Sequence, residues 1–379
     1  MQTKKGFEME NDFSWFNQNK SLSQKLVFMH QILSARYRHL DHISVVIHDP
    51  QTDYLRTFLD SSRHDSALTN YQTKLENAPQ LQNILATGKS RVVNNLNVYS
   101  ESNKEHTRRI IEAGYQSSYT MPMVYENAFY GFVFFNSCQI NCFEPDVVSH
   151  IDPFGLLLSL IVICEIRSIR KLSAATRTVR QITTSRDFET GAHLERMSRY
   201  SRVIAQGIAD SNNLSDEYIE NLFLFSPLHD IGKITIADRI LLKPDKLSDD
   251  EYEIMKDHTV KGLEIIDFML SEFELERLAY VSILRNIVLH HHESMDGSGY
   301  PAGLIGENIP LEARIVATAD IFDALTSKRP YKQAWSNETT FDYMLSIAGA
   351  KLDEGCVTSL INNSIEVSTL QEQFQESSL

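Results

Sequence analysis

The sequence has few cysteines, no excess of positive charge and no long uninterrupted apolar run. Its four cysteines form no C-x-x-C pair and are too sparse for a disulfide framework, which favours a reducing compartment (Cys138, Cys142, Cys164 and Cys356). The most apolar run, Phe154 to Cys164, has about half the length that a membrane-spanning helix requires. These features predict a protein without disulfides and without a membrane span.

The charge balance is acidic, with 36 Lys and Arg residues against 50 Asp and Glu residues and a net charge of -14. Such a surface argues against general binding to DNA or to anionic membranes. The N-terminal stretch from Met1 to Asp12 is polar and lacks the apolar core of a signal peptide. We therefore predict a cytoplasmic protein in which any phosphate-bearing ligand is met by local cations or metal ions.

A chain of 379 residues has room for two or three domains. After an N-terminal segment (1–21), residues 22–152 combine helical periodicity over Leu22–Leu40 with apolar strands, including a hairpin of Ser118–Val124 and Phe129–Asn136 around Glu126-Asn127. This pattern resembles a GAF sensory domain. The resemblance implies a small ligand or dimerisation, and no residue identifies the ligand.

Residues 153–186 are predicted to form one long linker helix. Apolar side chains recur along it at steps of three and four residues (Leu156, Leu160, Ile163, Ile166 and Ile169). Two interpretations remain open. The stripe either forms a parallel contact between the two chains of a homodimer or packs on the preceding domain of its own chain.

Candidate ligands for a metal ion begin at Glu189 and His193, which lie four residues apart and would share one helix face. Alone, such a pair is more often a surface contact. His229 and Asp230 end the apolar run Leu222–Phe225, where burial is costly unless the two residues are paired or bind a metal. Lys233 follows and places a cation one turn from the aspartate.

Further candidates follow along the chain. Ser248 and Glu251 form a capping box for a helix that is predicted to carry His258. The residues His291-His292-Glu293 precede a glycine-rich loop that ends in Gly299-Tyr300-Pro301, and Asp320 is predicted to end the helix Ala313–Ala319. Imidazoles and carboxylates without thiolates suit iron or manganese rather than structural zinc. Eight such ligands exceed the needs of one ion and predict a cluster of two or three, each ligand lying on a helix.

The paired motifs HDIGK at His229–Lys233 and HHE with DGSGYP at His291–Pro301 resemble an HD-GYP domain, a class of metal-dependent phosphohydrolases. Family-like stretches also include Asp323-Ala324-Leu325 and Arg329–Lys332. The resemblance implies a helical bundle over residues 187–365 that hydrolyses cyclic dinucleotides, followed by a polar, frayed tail (366–379). The overall fold class is then α+β, with a GAF-like α/β domain, a linker helix and an all-α HD-type bundle.

The resemblance also implies roles for individual residues. It gives Lys233 a contact to the phosphate or the leaving group, and it gives Tyr300, Arg329 and Lys332 contacts to the dinucleotide. His290 has no counterpart in the motif and is interpreted as a surface neighbour. Family members that carry the glutamate at position 189 hold three ions. The implied metal ligands are Glu189, His193, His229, Asp230, His258, His291, His292 and Asp320.

The predicted reaction is hydrolysis of cyclic di-GMP to linear pGpG, with a second cut leading on to GMP. Two ions would activate a water and present hydroxide to phosphorus. One alternative substrate is hybrid 3′,3′-cyclic GMP-AMP. A hydrolase of mononucleotides is disfavoured by the GYP loop, and a non-catalytic sensor is disfavoured because no ligand of the motif is missing.

Overall fold

The computed structural model of the chain describes residues 20–63, 71–99, 105–182, 191–327 and 333–375. They form an N-terminal α/β domain and a C-terminal helical domain. The predicted fold class is therefore confirmed.

The N-terminal domain is built on one six-stranded sheet in which all neighbouring strands are antiparallel, in the order β3-β2-β1-β6-β5-β4. The strands are β1 (His42–Asp49), β2 (Tyr54–Ser62), β3 (Gln72–Lys74), β4 (Arg91–Val93), β5 (Ser117–Tyr125) and β6 (Ala128–Ser137). Its helices are α1 (Leu22–Arg36), α2 (Pro79–Thr87) and α3 (Glu105–Glu112). Helix α1 packs on one face of the sheet and buries Leu26 and Leu33 there.

The hairpin of β5 and β6 lies where the sequence predicts it. Its two turn residues, Glu126 and Asn127, have positive φ angles of 50° and 61°. Two successive residues with positive φ are typical of the tight turn that matches the twist of an antiparallel pair. The hairpin places two central strands of the sheet beside each other.

A single helix, α4 (Pro145–Ile182), leads from the sheet toward the helical domain. It begins eight residues before the predicted start, with Pro145 at its first position, where proline is well tolerated. Pro153, the predicted start, lies inside the helix. By length and composition alone the segment Pro145–Thr176 is apolar enough to cross a membrane, but the core helix of a globular protein passes the same test, and one side of this helix packs into the N-terminal core.

The apolar residues of α4 were predicted either to contact a second chain or to pack on their own chain, and they fall into two sets. Ile163, Ile166 and Ile169 are buried within their own chain, with exposed fractions of 2%, 4% and 2%. Leu156 and Leu160 remain 57% and 46% exposed. The first set therefore packs on its own chain, and the second leaves an apolar surface on the helix.

The helical domain contains eleven helices within the described ranges, and nine of them contribute side chains to one apolar core. They are α5 (Gly191–Gly207), α6 (Ala209–Asn212), α7 (Asp216–Phe225), α8 (Asp238–Leu241), α9 (Asp249–Lys256), α10 (His258–Glu272), α11 (Val281–His290), α12 (Leu311–Thr326), α13 (Asn337–Ile347), α14 (Glu354–Asn362) and α15 (Ser364–Gln373). The last helix corrects the predicted polar tail, because Val367 and Leu370 are buried at helical spacing. Val367, Leu370 and Phe374 recur at helical spacing, so a signal for this helix was present in the otherwise polar stretch and was overlooked.

One contact between the two domains is a helix cap: a side chain of the helical domain binds the N-terminus of α1. The carboxylate of Glu217, on α7, accepts hydrogen bonds from the backbone N–H groups of Leu22 at 2.8 Å and Ser23 at 3.1 Å. These groups lie in the first turn of α1, where helical N–H groups lack partners in their own helix and where negative charge is favourable. Glu217 thereby fixes the start of the N-terminal domain against the bundle.

Candidate metal centre

His229 and Asp230 lie between two short 3₁₀ turns, Ser226–Leu228 and Ile231–Thr235, and not on a helix as predicted. Pro227 near the start of the first turn helps to end the preceding α7, because proline has no N–H to donate. Adjacent residues on an α-helix point about 100° apart. The turn instead allows both side chains to face one site, where they are 0% and 2% exposed.

Asp230 is the centre of the site. Its Oδ1 lies 3.1 Å from Nε2 of His258 and 3.6 Å from Nε2 of His291. Its Oδ2 lies 3.0 Å from Nε2 of His229 and 2.7 Å from Nζ of Lys233. Burial would raise the pKa of Asp230, but the charge of Lys233 and the contact with His229 hold it well below its usual value. The carboxylate is therefore charged and directs its two oxygens to different neighbours.

Three of the histidines are oriented by backbone carbonyls. Nδ1 of His229, His258 and His291 lies 2.9, 2.7 and 2.9 Å from the carbonyl oxygens of Ser226, Met255 and Ile287. A carbonyl only accepts hydrogen bonds, so each Nδ1 carries the proton and donates it. Nε2 of each ring is then left with a lone pair directed at Asp230, as in histidine ligands whose tautomer is fixed by their surroundings.

His291 and His292 follow the last residue of α11 and lie in a turn, which again differs from the predicted helix. Burial lowers the pKa of His291, although Asp230 partly opposes this. Burial, followed by the neighbouring His291, holds the pKa of His292 well below its usual value. Both imidazoles are therefore neutral at neutral pH, which is the form that binds metal ions.

A second group of side chains lies beside the first. His193 on α5 directs Nε2 toward Oδ1 of Asp320 at 3.8 Å, and His229 completes the group. Asp320 lies in the middle of α12, because this helix continues to Thr326 rather than ending near Ala319 as predicted. The apolar residues Phe322 and Leu325 support this continuation at helical spacing.

Seven of the eight predicted ligands thus meet in two groups: Asp230, His258, His291 and His292, and His193, His229 and Asp320. Within each group the candidate ligand atoms lie within 4.8 Å of one another. Oδ1 of Asp230 and Nε2 of His258 and His291 are buried and have no hydrogen-bond partner of suitable geometry. Buried polar atoms without a partner destabilise a fold unless a ligand binds them. Neutral imidazoles with a carboxylate suit divalent transition metals. The residues present fit a metal centre.

At Gly232 the backbone of the 3₁₀ turn lies against the backbone of α10, and this contact positions the ligand residues. A Cβ at this position would lie 1.8 Å from the carbonyl oxygen of His258, so only glycine allows the 3₁₀ turn to contact the start of α10. This contact holds the segment with His229 and Asp230 against the helix that carries His258. A larger residue at position 232 would separate the two ligand segments.

A family model described as HD domain matches residues 178–355. The C-terminal region is an HD domain. RpfG of Xanthomonas campestris, named a cyclic di-GMP phosphodiesterase response regulator, is 42% identical over 193 residues, which are 51% of this chain and 48% of that protein. The 3′3′-cGAMP-specific phosphodiesterase 2 of Vibrio cholerae is 38% identical over 181 residues, 47% of this chain and 32% of that protein.

Among solved structures, a GAF domain/HD domain protein from Geobacter sulfurreducens is 13% identical, with a TM-score of 0.31, and covers 38% of this chain and 93% of its own. The chain spans about half the length, or less, of the curated relatives described above.

Two residues of the HD domain, Asp323 and Arg196, were not identified from the sequence as parts of the site. Asp323 accepts a hydrogen bond from Nδ1 of His193 at 2.7 Å and two from the guanidinium of Arg196 at 2.6 and 3.0 Å. Burial would raise the pKa of Asp323, but the bonds with His193 and Arg196 lower it. Its spacing of three residues from Asp320 on one helix was the available signal. Asp323 orients His193 and fixes its tautomer.

The loop after the paired histidines is positioned by Glu293. Its buried carboxylate accepts hydrogen bonds from the backbone N–H groups of Ala302 at 2.8 Å and Leu304 at 3.0 Å. The loop places the ring of Tyr300 4.8 Å from that of His292, beside the first ligand group. His290, predicted to be a surface neighbour, is instead partly buried, and its Nδ1 lies 3.6 Å from Glu293.

Three predicted site residues of the HD domain, Glu189, Arg329 and Lys332, lie outside the described residues. Lys233 and Tyr300 lie at the edge of the ligand groups. The side chain of Lys233 is 22% exposed, so its ammonium group is accessible from the solvent side of the centre.

Proposed function

We propose that this protein is a metal-dependent phosphodiesterase that hydrolyses cyclic di-GMP to linear pGpG and then to GMP. The position of Asp230 carries the proposal, because its two oxygens face two adjacent groups of ligand side chains. Similar relatives named cyclic di-GMP phosphodiesterases share this region at 42% and 38% identity. A pair of adjacent ions is a recurrent arrangement for displacement at phosphorus.

The protein side chains have separate tasks in this reaction. The seven residues of the two ligand groups, with Asp230 between the groups, would hold the ions, which when bound supply Lewis acidity and an activated water. The ammonium group of Lys233 faces the same space and would offset negative charge on the phosphate or donate a proton to the leaving oxygen. The ring of Tyr300 would contact the dinucleotide beside His292.

The local cations explain how an acidic protein would accept a doubly anionic substrate. Lys233 supplies one positive charge at the described edge of the centre, and Arg329 and Lys332 are proposed to add two more. The remaining surface would repel nucleic acid, because the net charge is -14. Recognition would therefore depend on groups within the site.

Hybrid 3′,3′-cyclic GMP-AMP is the second candidate substrate, because a relative named a 3′3′-cGAMP-specific phosphodiesterase is 38% identical over 181 residues. The deciding experiment measures kcat/KM for both dinucleotides on one metal-loaded preparation. We expect the higher value for cyclic di-GMP. A higher value for the hybrid would change the substrate, and turnover of neither, in a sample that binds metal, would contradict the proposed activity.

The proposed ions are iron or manganese, and their number is proposed to be three per chain. Glu189 lies four residues before His193 in the sequence and is proposed to add a carboxylate to the second group. We expect metal analysis of anaerobically purified protein to give three ions for the wild type and two for Glu189→Ala. Two or fewer ions in both proteins would contradict the three-ion centre.

We further propose that the protein is a homodimer that associates through α4 and works in the cytoplasm. The exposed leucines on this helix (Leu156, Leu157 and Leu160) form an apolar surface that a second copy would cover. The opposite side of the helix packs into the N-terminal core through Leu158, which supports a cytoplasmic location rather than a membrane span.

The variant Leu160→Glu tests this contact, because it places a charge on the proposed interface. We expect the wild-type chain to be dimeric and the variant to be monomeric by light scattering at micromolar concentration. Phe268→Glu, at a side chain 66% exposed on α10, is the matched control and should remain dimeric. Monomers in all three samples would refute the dimer.

A further inference from the structure

Helix α5 carries four buried side chains at three-residue intervals: His193, Arg196, Arg199 and Arg202. Their exposed fractions are 4%, 5%, 2% and 4%. At about 100° and 1.5 Å per residue, nine residues rotate the side-chain direction by about half a turn and advance it by about 13 Å. The row therefore starts on the side of α5 that faces the metal centre and ends on the opposite side.

Each member of the row is paired with a carboxylate, as buried charges require. Asp323 of α12 pairs with His193 and Arg196 at the metal end. At the far end, Glu220 of α7 accepts a hydrogen bond from Nη2 of Arg202 at 2.7 Å. The remaining member, Arg199, lies 3.5 Å from Glu195 of its own helix and has a closer partner in the other domain.

That partner is Asp49, at the turn between β1 and β2. Its Oδ2 accepts a hydrogen bond from Nη1 of Arg199 at 2.7 Å. Gln51 of the same turn accepts from Nη2 of Arg199 at 2.7 Å and donates to Glu195 of α5 at 3.2 Å. The turn therefore binds two residues of α5 that are one helical turn apart.

Asp49 also balances more than one cation. The same carboxylate oxygen lies 3.4 Å from Nη1 of Arg56 and 3.8 Å from Nη1 of Arg202. Without its charge, the guanidinium groups of Arg56, Arg199 and Arg202 would face each other, and the carboxylates that remain beside them in the described residues are Glu220 and the partly exposed Glu195. Like charges at this separation in a buried site repel strongly, so α5 would shift or the turn would leave it.

Residues at the end of α15 also contact the β1–β2 turn and the arginines of α5. Gln373 donates to the backbone oxygen of Gln51 at 3.2 Å, and the guanidinium of Arg199 lies 4.3 Å from the ring centre of Phe374. Arg196 donates to the backbone oxygen of Phe374 at 2.9 Å. Arg199 and Arg196 are therefore held by one chain segment, which links the contact with the N-terminal domain to the pair that orients His193.

We propose that Asp49 is a positioning residue for the metal centre. Through Arg199 it fixes the rotation and height of α5, and so the position of His193 in the second ligand group. The N-terminal domain would then control the affinity for one ion through its β1–β2 turn. This inference rests on the metal centre of the proposed function and not on the identity of the substrate.

The test is a Mn²⁺ titration of the full chain by calorimetry, on the wild type, Asp49→Asn and Asp53→Asn. Asp53 lies in the same turn, and its exposed side chain contacts only His48 among the ion pairs of the described residues, so its variant is the matched control. We expect Asp49→Asn to weaken one class of Mn²⁺ site about tenfold or more, a size typical of losing an outer support of a metal ligand, and to spare the other class. Asp53→Asn should match the wild type.

A double-mutant cycle with Arg199→Met distinguishes positioning from general destabilisation. If Asp49 acts through Arg199, adding Asp49→Asn to Arg199→Met should not weaken that class of site further. Should Asp49→Asn fail to fold, Gln51→Ala replaces it and is expected to weaken the same class about threefold. Unchanged Mn²⁺ affinity in a folded variant, or equal weakening of both classes, would overturn the inference while leaving the phosphodiesterase proposal intact. A wild-type chain that binds neither Mn²⁺ nor Fe²⁺ would overturn both.

Discussion

Asp230→Ala is expected to abolish cyclic di-GMP hydrolysis and to deplete the protein of metal. The carboxylate contacts His229, His258 and His291 and directs one oxygen to each side of the centre. Its removal would leave the first group with neutral imidazoles and the second group with Asp320 as its carboxylate, so both groups would lose negative charge that attracts divalent ions. Among the ion pairs of the described residues, no other carboxylate contacts histidines of both groups.

The measurements are metal content after desalting and turnover of cyclic di-GMP. Asp250→Ala, at an exposed position in the first turn of α9, is a suitable control and should keep both. Circular dichroism would establish that the Asp230→Ala protein is folded, so that a loss of metal is not caused by unfolding. An Asp230→Ala protein that retains its full metal complement would show that the centre is not built around this carboxylate.

Lys233→Ala should leave the metal in place and slow turnover by about a hundredfold or more, a size typical of removing one charge contact to a transition state. The ammonium group lies 2.7 Å from Oδ2 of Asp230, and its side chain is 22% exposed, so it borders the centre without being enclosed in it. Its role would be at the phosphate or the leaving oxygen. Metal ligands do not include this residue, because a protonated amine has no lone pair.

The effect should appear in kcat more than in metal content or in KM, because the charge contact is proposed to strengthen as the reaction proceeds. Lys261→Ala provides the comparison, since this lysine pairs with Glu264 at an exposed site on α10. A Lys233→Ala protein with wild-type turnover would remove the residue from the mechanism. Loss of metal in the same variant would assign it a role in holding Asp230 instead.

Local patterns predicted much of the fold. The capping box at Ser248 and the Glu126-Asn127 turn lie where the sequence places them, because both depend on backbone groups within a few residues of one another. Element ends were less predictable. The helix that this capping box begins ends at Lys256, so the prediction that it carries His258 is wrong, and His258 begins α10. Helix α12 continues through Asp320, and α15 forms in a stretch expected to be a frayed tail. Their stability comes from apolar contacts with distant helices, which no local window contains.

In the candidate site, too, the residue types could be predicted from the sequence, whereas their local structure could not. The histidines and Asp230 were identified because their residue types and order are chemically unusual beside an apolar run. The sequence also predicted helices for His229, Asp230, His291 and His292, and the structure places them in turns instead. Metal ligands need convergent side chains, and helical periodicity separates neighbours on the chain, so the turns could be recognised only once the helices were packed.

The sequence by itself determined the chemistry available to this protein: imidazoles, carboxylates and a lysine, in the order typical of an HD domain. Only the tertiary structure decided that Asp323 orients His193 and that Asp49 of the N-terminal domain binds Arg199 on the same helix. These partners are 130 and 150 residues apart in the chain. Their pairing depends on how helices and a sheet pack, because buried charges stabilise a fold only when packing brings their counter-charges within hydrogen-bond distance.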